Sequence, residues 1–125
     1  MTISDQITWL HVADLERSRR FYAQGLGLTT VLEQSGCCIL RVTDSAFLGL
    51  CARPAPRDTP GLLLCFVTDD VEAAHARLLG AGAGPDTPPQ ENATYGIVHA
   101  FVRDPDGHRV EVQRFLDPDW KGEEA

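Results

Sequence analysis

Apolar and polar residues alternate most regularly in the last third of the chain, over residues 98–103 and again over 109–113. Alternation with a period of two is typical of strands that bury one face. Between the two runs the sequence reads Asp-Pro-Asp-Gly-His, in which Pro105 presets the first turn position and Gly107 accepts a positive φ. The pattern therefore predicts a β-hairpin with one aliphatic face and one face that carries functional groups.

Side-chain parity predicts which residues of this hairpin lie opposite each other. Partners across a hairpin share a face. Phe101 can therefore face Glu111 only if the turn holds one extra residue, a bulge with Gly107 in the left-handed conformation. The same register predicts two further pairs, His99 with Gln113 and Arg103 with Arg109. A carboxylate, an imidazole, an amide and an aromatic ring should then share one surface.

The other patterns predict two copies of one unit, in which a strand and a helix precede three strands. In the first copy we expect a strand over 7–12, a helix over 15–24, and strands over 29–34, 37–42 and 46–52. In the second copy we expect a strand over 62–68 and a helix over 71–81. A short edge strand over 84–87, which prolines interrupt, a loop through 94 and the hairpin should follow. A repeat of 56 residues superposes Asp14 on Asp70, and each aspartate is placed to cap its helix.

These elements predict an α+β fold of two βαβββ modules within a single domain, 1–125. The expected divisions are module one at about 5–52, a proline-rich linker at 53–60, module two at about 61–115, and an irregular tail at 116–125.

Charge and hydropathy limit the partners of this domain. The formal charge is −7, which disfavours nucleic acid and anionic membrane surfaces. We find no apolar run near the ~18 residues of a membrane span and no signal-peptide order at the N-terminus, so the expected location is cytoplasmic.

The cysteines and two of the histidines predict little chemistry by themselves. Cys37, Cys38, Cys51 and Cys65 lie in apolar segments without the spacing of a metal knuckle, so we expect buried, reduced thiols. His75 on the second helix and His108 in the turn are expected to be solvated or half-buried.

Several motifs, taken in order, resemble a known family. They are Val-Ala-Asp-Leu-Glu-Arg-Ser at 12–18 with Phe21-Tyr22, Leu-Gly-Leu at 26–28, Asp-Asp-Val at 69–71, and Asp-Pro-Asp-Gly-His at 104–108 with Glu111. Together they resemble the vicinal-oxygen-chelate superfamily, which includes glyoxalase I, bleomycin- and fosfomycin-resistance proteins and extradiol dioxygenases. The resemblance covers almost the whole chain. It implies paired modules that form a cupped, eight-stranded mixed sheet around a cavity, usually completed in a homodimer.

The family's metal ligands are mostly replaced in this sequence. The family pattern has a histidine seven residues before the first cap aspartate, where this chain has Ile7, and its counterpart in module two falls near Leu62 or Leu63. The last ligand of the pattern is present as Glu111. Divalent metal sites typically use about three protein ligands, so we predict no metal and no cofactor. The alternative is one divalent metal held by Glu111 with His99, and Cys51 as a further candidate ligand.

Parity places eleven residues on the cavity face, and the four that are not candidate ligand-binding residues are Ile7, Leu63, Cys65 and Val67. The candidate ligand-binding residues are the other seven: Trp9, His11, His99, Phe101, Arg109, Glu111 and Gln113. Aromatic rings beside a carboxylate favour a flat, cationic or hydrogen-bond-donating ligand. We therefore predict a small-molecule binding protein similar to bleomycin-resistance proteins, which sequesters a partly aromatic drug or metabolite without a metal.

Two other functions remain open from the sequence. One is an enzyme, either a metal-dependent lyase, isomerase or dioxygenase that uses Glu111, or a metal-free enzyme in which His99 and Glu111 are the catalytic acid and base. The other is a partner-binding or degenerate module without a ligand. In that case Trp9 and Phe101 would fill the core and Arg109 would form an ion pair with Glu111.

Overall fold

The computed structural model describes residues 1–54 and 61–122. Within these residues two helices and eight strands follow one another in the order β1 (Gln6–Val12), α1 (Leu15–Leu26), β2 (Thr29–Gln34), β3 (Cys37–Arg41), β4 (Ala46–Ala52), β5 (Leu64–Val67), α2 (Val71–Gly80), β6 (Gly84–Asn92), β7 (Ile97–Arg103) and β8 (Arg109–Phe115). The βαβββ order thus occurs twice, as predicted. Most of the expected linker, 55–60, and the end of the tail, 123–125, lie outside the described residues.

The described strands form two four-stranded mixed sheets, one in each module. Their orders are β1-β4-β3-β2 and β5-β8-β7-β6. In each sheet the first strand pairs in parallel with the last strand of its module, and the other pairs are antiparallel. The α+β fold of two modules is therefore confirmed, with its eight strands divided equally between two sheets.

Both helices begin at the predicted capping residues. The Asp14 carboxylate accepts a hydrogen bond from the backbone N–H of Arg17 at 3.0 Å, and the Asp70 carboxylate accepts one from Ala73 at 3.0 Å. Helix α1 continues to Leu26, beyond the predicted end, and stops at Gly27, whose φ of 73° is in the left-handed region.

One hydrophobic cluster joins the two modules. It is built from the inward faces of both sheets and from both helices: Leu10, Val12, Phe21, Tyr22, Leu28, Cys38, Leu40, Leu48, Leu50, Leu64, Val71, Leu78, Ala83, Ala100, Val102, Val110 and Val112. Helices α1 and α2 also contact each other. The opposite face of each sheet is consequently left outside this core.

The Asp-Pro-Asp-Gly-His turn fastens module two to helix α1. The buried Asp104 carboxylate accepts hydrogen bonds from the Tyr22 hydroxyl at 2.7 Å and from the backbone N–H of His108 at 2.8 Å. Asp106 accepts one from the backbone N–H of Ala13 at 3.0 Å and one from the Ser18 hydroxyl at 3.3 Å. This motif therefore has a structural role between the modules.

The expectation for His108 was wrong, because the same turn buries its ring. The residue is only 4% exposed, and its Nε2 lies 3.1 Å from the carbonyl oxygen of His11. A carbonyl can only accept, so Nε2 donates this hydrogen bond. His75 is half-buried, as expected.

Strand β6 is longer than the predicted 84–87 and continues through Asn92. Its three prolines are tolerated because β6 is an edge strand and its register with β7 shifts twice, between Pro85 and Thr87 and between Thr87 and Gln90. In the tail, the Trp120 ring stacks on Phe115 at a centroid distance of 4.3 Å.

Two of the expected buried, reduced thiols are instead joined in a disulfide bond, Cys37–Cys51. These cysteines are direct partners across the antiparallel pair β3/β4, a proximity that spacing along the chain does not reveal. Cys38 is buried as a thiol, whereas Cys65 is exposed.

No helix in the described ranges is long and apolar enough to cross a membrane.

Candidate functional site

The predicted cavity face corresponds to the sheet surface that points away from the core. In β1, Leu10 and Val12 are buried, whereas Ile7 is 40% and Trp9 44% exposed, and His11 is also exposed. We call this surface the open face; it comprises Ile7, Trp9, His11, Gly49 and Cys51 in module one and Cys65, Val67, His99, Phe101, Arg109, Glu111 and Gln113 in module two. All seven predicted ligand-binding residues lie on it.

The predicted hairpin register is confirmed. Across β7 and β8, Phe101 faces Glu111, His99 faces Gln113, and Arg103 faces Arg109. Gly107 has a φ of 89°, as the bulged turn requires. Parity alone therefore located the main polar group of the open face.

That polar group is a contact between His99 and Glu111. His99 Nδ1 lies 2.7 Å from Glu111 Oε2, and the two residues are 8% and 6% exposed. A carboxylate oxygen accepts this hydrogen bond, so Nδ1–H of His99 donates it and Nε2 is the other ring nitrogen. Nε2 has no hydrogen-bond partner among the described residues and is not a buried unpaired atom, so solvent reaches it. The pair therefore presents the ring nitrogen Nε2 to the open face.

Arg109 does not pair with Glu111. Its guanidinium lies 3.9 Å from the centroid of the Phe101 ring and donates through Nε to Asp86 Oδ2 at 3.2 Å. Asp86 belongs to the unexpectedly long β6, and Arg103 also reaches it at 3.3 Å. The suggested ion pair between Arg109 and Glu111 was wrong, because Arg109 instead pairs with Asp86, a second carboxylate on the edge strand.

The pKa of Asp86 reflects this position. Burial by itself would raise the pKa, but hydrogen bonds from Arg109 and Thr87, together with the charges of Arg109 and Arg103, hold it below the ordinary value. Asp86 is therefore ionised at neutral pH and keeps both arginines at the margin of the open face.

Cys65 adds a thiol that was not among the expected site residues. Its Sγ donates to Gln113 Oε1 at 3.2 Å, and it is the Cα partner of Glu111 in the parallel pair β5/β8. Burial, followed by the charge of Glu111, raises the pKa of Cys65 to about 12. At neutral pH this side chain is a hydrogen-bond donor and not a thiolate nucleophile. Parity in β5 predicted its place on the cavity face, although it was not chosen as a ligand-binding residue.

In module one, the indole of Trp9 lies against the backbone of β4 at Gly49. A Cβ atom at Gly49 would be 2.2 Å from Cε3 and 2.5 Å from Cδ2 of Trp9, so only glycine fits. The sequence signal for this contact was a glycine within a strand, which often marks close approach of another group.

The 56-residue repeat relates this contact to the polar group of module two. Trp9 pairs with Gly49 across β1/β4, as Cys65 pairs with Glu111 across β5/β8. Gly49 therefore occupies the position in module one that Glu111 occupies in module two. At this position module two has the Glu111 carboxylate, whereas module one has Gly49 with the Trp9 indole lying over it.

The donor set of the open face does not fit a divalent metal centre. Ile7, Leu62 and Leu63, at the family's ligand positions, offer only carbon atoms. Across residues 1–54 and 61–122, no three His, Cys, Asp or Glu side chains gather in a way that could hold a metal ion. His99 and Glu111 supply two ligands, and Cys51 is bonded to Cys37 in the other module.

Among the described residues, two clefts lie between the modules. The larger, about 680 Å³, is lined by the end of α1, β5, α2 and Trp120, and the smaller, about 460 Å³, by β1, β4 and β5. Trp9, Phe101 and Glu111 line neither cleft, but Cys65 of the open face lines both and Val67 lines the larger, so the clefts adjoin the open face at β5.

Comparisons with known proteins agree with this architecture. The family model of the Glyoxalase/Bleomycin resistance protein/Dioxygenase superfamily matches residues 4–112. Virulence protein STM3117 of Salmonella typhimurium is 28% identical over 119 residues, which cover 86% of this chain and 81% of that protein.

Solved structures show the same fold at low identity. A glyoxalase-related enzyme from Fulvimarina pelagi has a TM-score of 0.77 at 23% identity, covering 91% of this chain and 88% of its own. TioX from Micromonospora sp. ML1 has a TM-score of 0.74 at 22% identity, with coverages of 90% and 99%. Because the family model spans most of the sequence, this chain belongs to the Glyoxalase/Bleomycin resistance protein/Dioxygenase superfamily.

Proposed function

We propose that this protein is a metal-independent small-molecule binding protein that sequesters a flat, partly aromatic ligand on its open face. The observation that carries the proposal is the Trp9 indole, which lies on Gly49 at the position where module two has Glu111. An indole held against a strand backbone is fixed before the ligand arrives. Such preorganisation reduces the entropy lost on binding.

The two modules offer complementary chemistry to such a ligand. Trp9 presents an aromatic face, and stacked aromatic pairs contribute about 0.5–1.5 kcal/mol beyond the area that they bury. In its neutral form His99 offers Nε2 as an acceptor, with the Glu111 carboxylate behind it. A ligand with a planar ring system and a hydrogen-bond donor or a positive charge would use both features.

We further propose that a second copy of the chain covers the open face. Ile7, Trp9 and Val67 of the open face are each between 40% and 48% exposed, and so are Leu62 and Leu63, which precede β5. Apolar surface of this kind commonly marks an interface or a ligand groove, and a homodimer would enclose the ligand. Sedimentation equilibrium of the wild type should give a dimer, and Val67→Asp should give a monomer. A monomeric wild type at micromolar concentration would contradict this part.

The proposed function is tested by calorimetry after treatment with a chelator. A panel of planar natural products, half of them cationic, is titrated into protein whose metal content has been measured by plasma mass spectrometry. We expect binding by at least one cationic member, unchanged by chelation. Loss of all binding on chelation, or about one tightly held transition metal per chain, would favour the metal-dependent alternative.

The contact between His99 and Glu111 supports a second candidate, a metal-free enzyme with acid–base chemistry. Glu111→Gln separates the two functions. An enzyme would lose turnover of a bound ligand while retaining much of its affinity, whereas a binding protein would show no chemical change in that ligand before or after the substitution.

The proposed location is the cytoplasm, which cell fractionation of the tagged chain would test.

A further inference from the structure

The disulfide bond Cys37–Cys51 lies on the open face, close to the Trp9 indole on Gly49, which we call the ligand platform. Leu48 and Leu50 of β4 are buried in the core, so the alternate residues Gly49 and Cys51 face the other way. Cys51 is the direct partner of His11 in β1, next to the pair formed by Trp9 and Gly49. The bond is therefore one row along the sheet from the Trp9 indole.

Both sulfur-bearing residues are accessible enough to react. Cys37 and Cys51 are each partly exposed, at the end of the β3/β4 pair. The sheet does not depend on the bond for its pairing, because β3 and β4 are held by a ladder of five residue pairs. Leu40, Leu48 and Leu50 of the same two strands are buried in the core. The bond can therefore open without dismantling the sheet.

The other two cysteines do not compete for this bond. Cys38 is adjacent in sequence, but its side chain points into the core and the residue is 2% exposed. Cys65 lies in module two and donates to Gln113. Cys37 and Cys51 can therefore pair only with each other, so reduction followed by oxidation should restore the same disulfide bond.

We propose that Cys37 and Cys51 form a thiol–disulfide exchange site on the open face, whose reactants are low-molecular-weight thiols and disulfides such as glutathione. A thiolate attacks one sulfur of the Cys37–Cys51 bond, forms a mixed disulfide, and releases the other cysteine, which takes a proton. A second thiol attacks the mixed disulfide. The products are two cysteine thiols and one oxidised small-molecule disulfide, so two thiols are oxidised as one protein disulfide is reduced.

Through this site, the surface beside the ligand platform would change with the redox state of the surrounding thiols. Disulfides in reducing compartments are usually transient, catalytic or redox-sensing. Opening the bond places two thiols beside His11, one row along the sheet from the pair formed by Trp9 and Gly49. The exchange itself does not depend on the proposed ligand, so the two proposals can fail separately.

The test exposes the folded protein to glutathione buffers of increasing thiol content, followed by acid quenching, alkylation and peptide mapping by mass spectrometry. We expect two alkyl groups at Cys37 and Cys51 in reduced buffer, none at these positions in oxidised buffer, and full reversal. Far-UV circular dichroism should stay unchanged throughout. Cys65→Ser is the matched control and should titrate like the wild type.

Fluorescence reports the connection to Trp9. In Trp120→Phe the remaining tryptophan is Trp9, and we expect its emission to change along the same glutathione titration as the alkylation. A bond that opens only after denaturant is added, or thiols that oxidised glutathione fails to join, would overturn the exchange site. Constant emission across a complete redox change would overturn its connection to the platform.

Discussion

Replacing Gly49 with alanine tests the contact on which the ligand platform depends. The added Cβ would lie 2.2–2.6 Å from three ring atoms of Trp9, closer than nonbonded carbon atoms approach. The indole must therefore leave the strand. If this returns roughly 100 Å² of apolar surface to water, the cost is about 2.5 kcal/mol at 25 cal/mol per Å², within the range of about 1–3 kcal/mol for overpacking.

The same substitution should have the opposite effect when the indole is absent. In a Trp9→Ala background nothing opposes the new methyl group, and alanine is favoured over glycine in a strand by about 0.5–1 kcal/mol. Gly49→Ala should then be neutral or stabilising. The coupling energy of the double-mutant cycle should therefore be about 2–3 kcal/mol.

Urea unfolding followed by far-UV circular dichroism gives all four free energies of unfolding without relying on tryptophan fluorescence. The reasoning would be refuted if Gly49→Ala destabilised the protein equally with and without Trp9. Equal effects would mean that the strand itself, and not the indole, excludes a side chain at this position.

Three further predictions concern the turn and the thiol of module two. Tyr22→Phe removes the donor to the buried Asp104 carboxylate and should cost about 1–3 kcal/mol in urea unfolding, whereas Tyr95→Phe, at an exposed ring, should cost almost nothing. Burial raises the pKa of Asp104 above 3.8, so the folded state binds this proton more tightly than the unfolded state. Protonated Asp104 therefore stabilises the folded state fully below the unfolded pKa, and this stabilisation is lost as pH rises through the folded pKa. Asp104→Asn should remove this part of the pH dependence of the unfolding free energy. A pH profile that is the same in the variant and the wild type would contradict the prediction. Finally, Glu111→Gln removes a charge that raises the pKa of Cys65, so iodoacetamide should modify Cys65 faster at pH 8, as peptide mapping would measure.

The hairpin shows what local pattern can predict. Alternation and one glycine were sufficient for the register, and the register by itself places His99 within reach of Glu111. The two helix caps followed in the same way, because Asp14 and Asp70 act on amides only three residues away. Interactions within a few residues, or across one tight turn, leave a readable signal in the sequence.

The interactions that the sequence did not predict join distant segments. Arg109 meets Asp86 at the register shift between Pro85 and Thr87 in the pairing of β6 with β7, which was not predicted. The Cys37–Cys51 bond depends on the pairing of β3 with β4, whose register was not predicted. His108 is buried because the turn packs against β1. Each depends on how two elements meet, which composition and periodicity within either element do not specify.

The central claim is that Trp9 forms the platform for an aromatic ligand, and one comparison of affinities tests it most directly. The planar ligand that binds best in the panel is titrated by calorimetry into chelator-treated wild type, Trp9→Ala and Trp120→Ala. Trp120 is the matched control, because it is 43% exposed against 44% for Trp9 but stacks on Phe115 and not against Gly49. Trp9→Ala should bind about tenfold or more weakly, since about 1.4 kcal/mol is a factor of ten, while Trp120→Ala should bind like the wild type. Equal affinity of Trp9→Ala and the wild type would contradict the account.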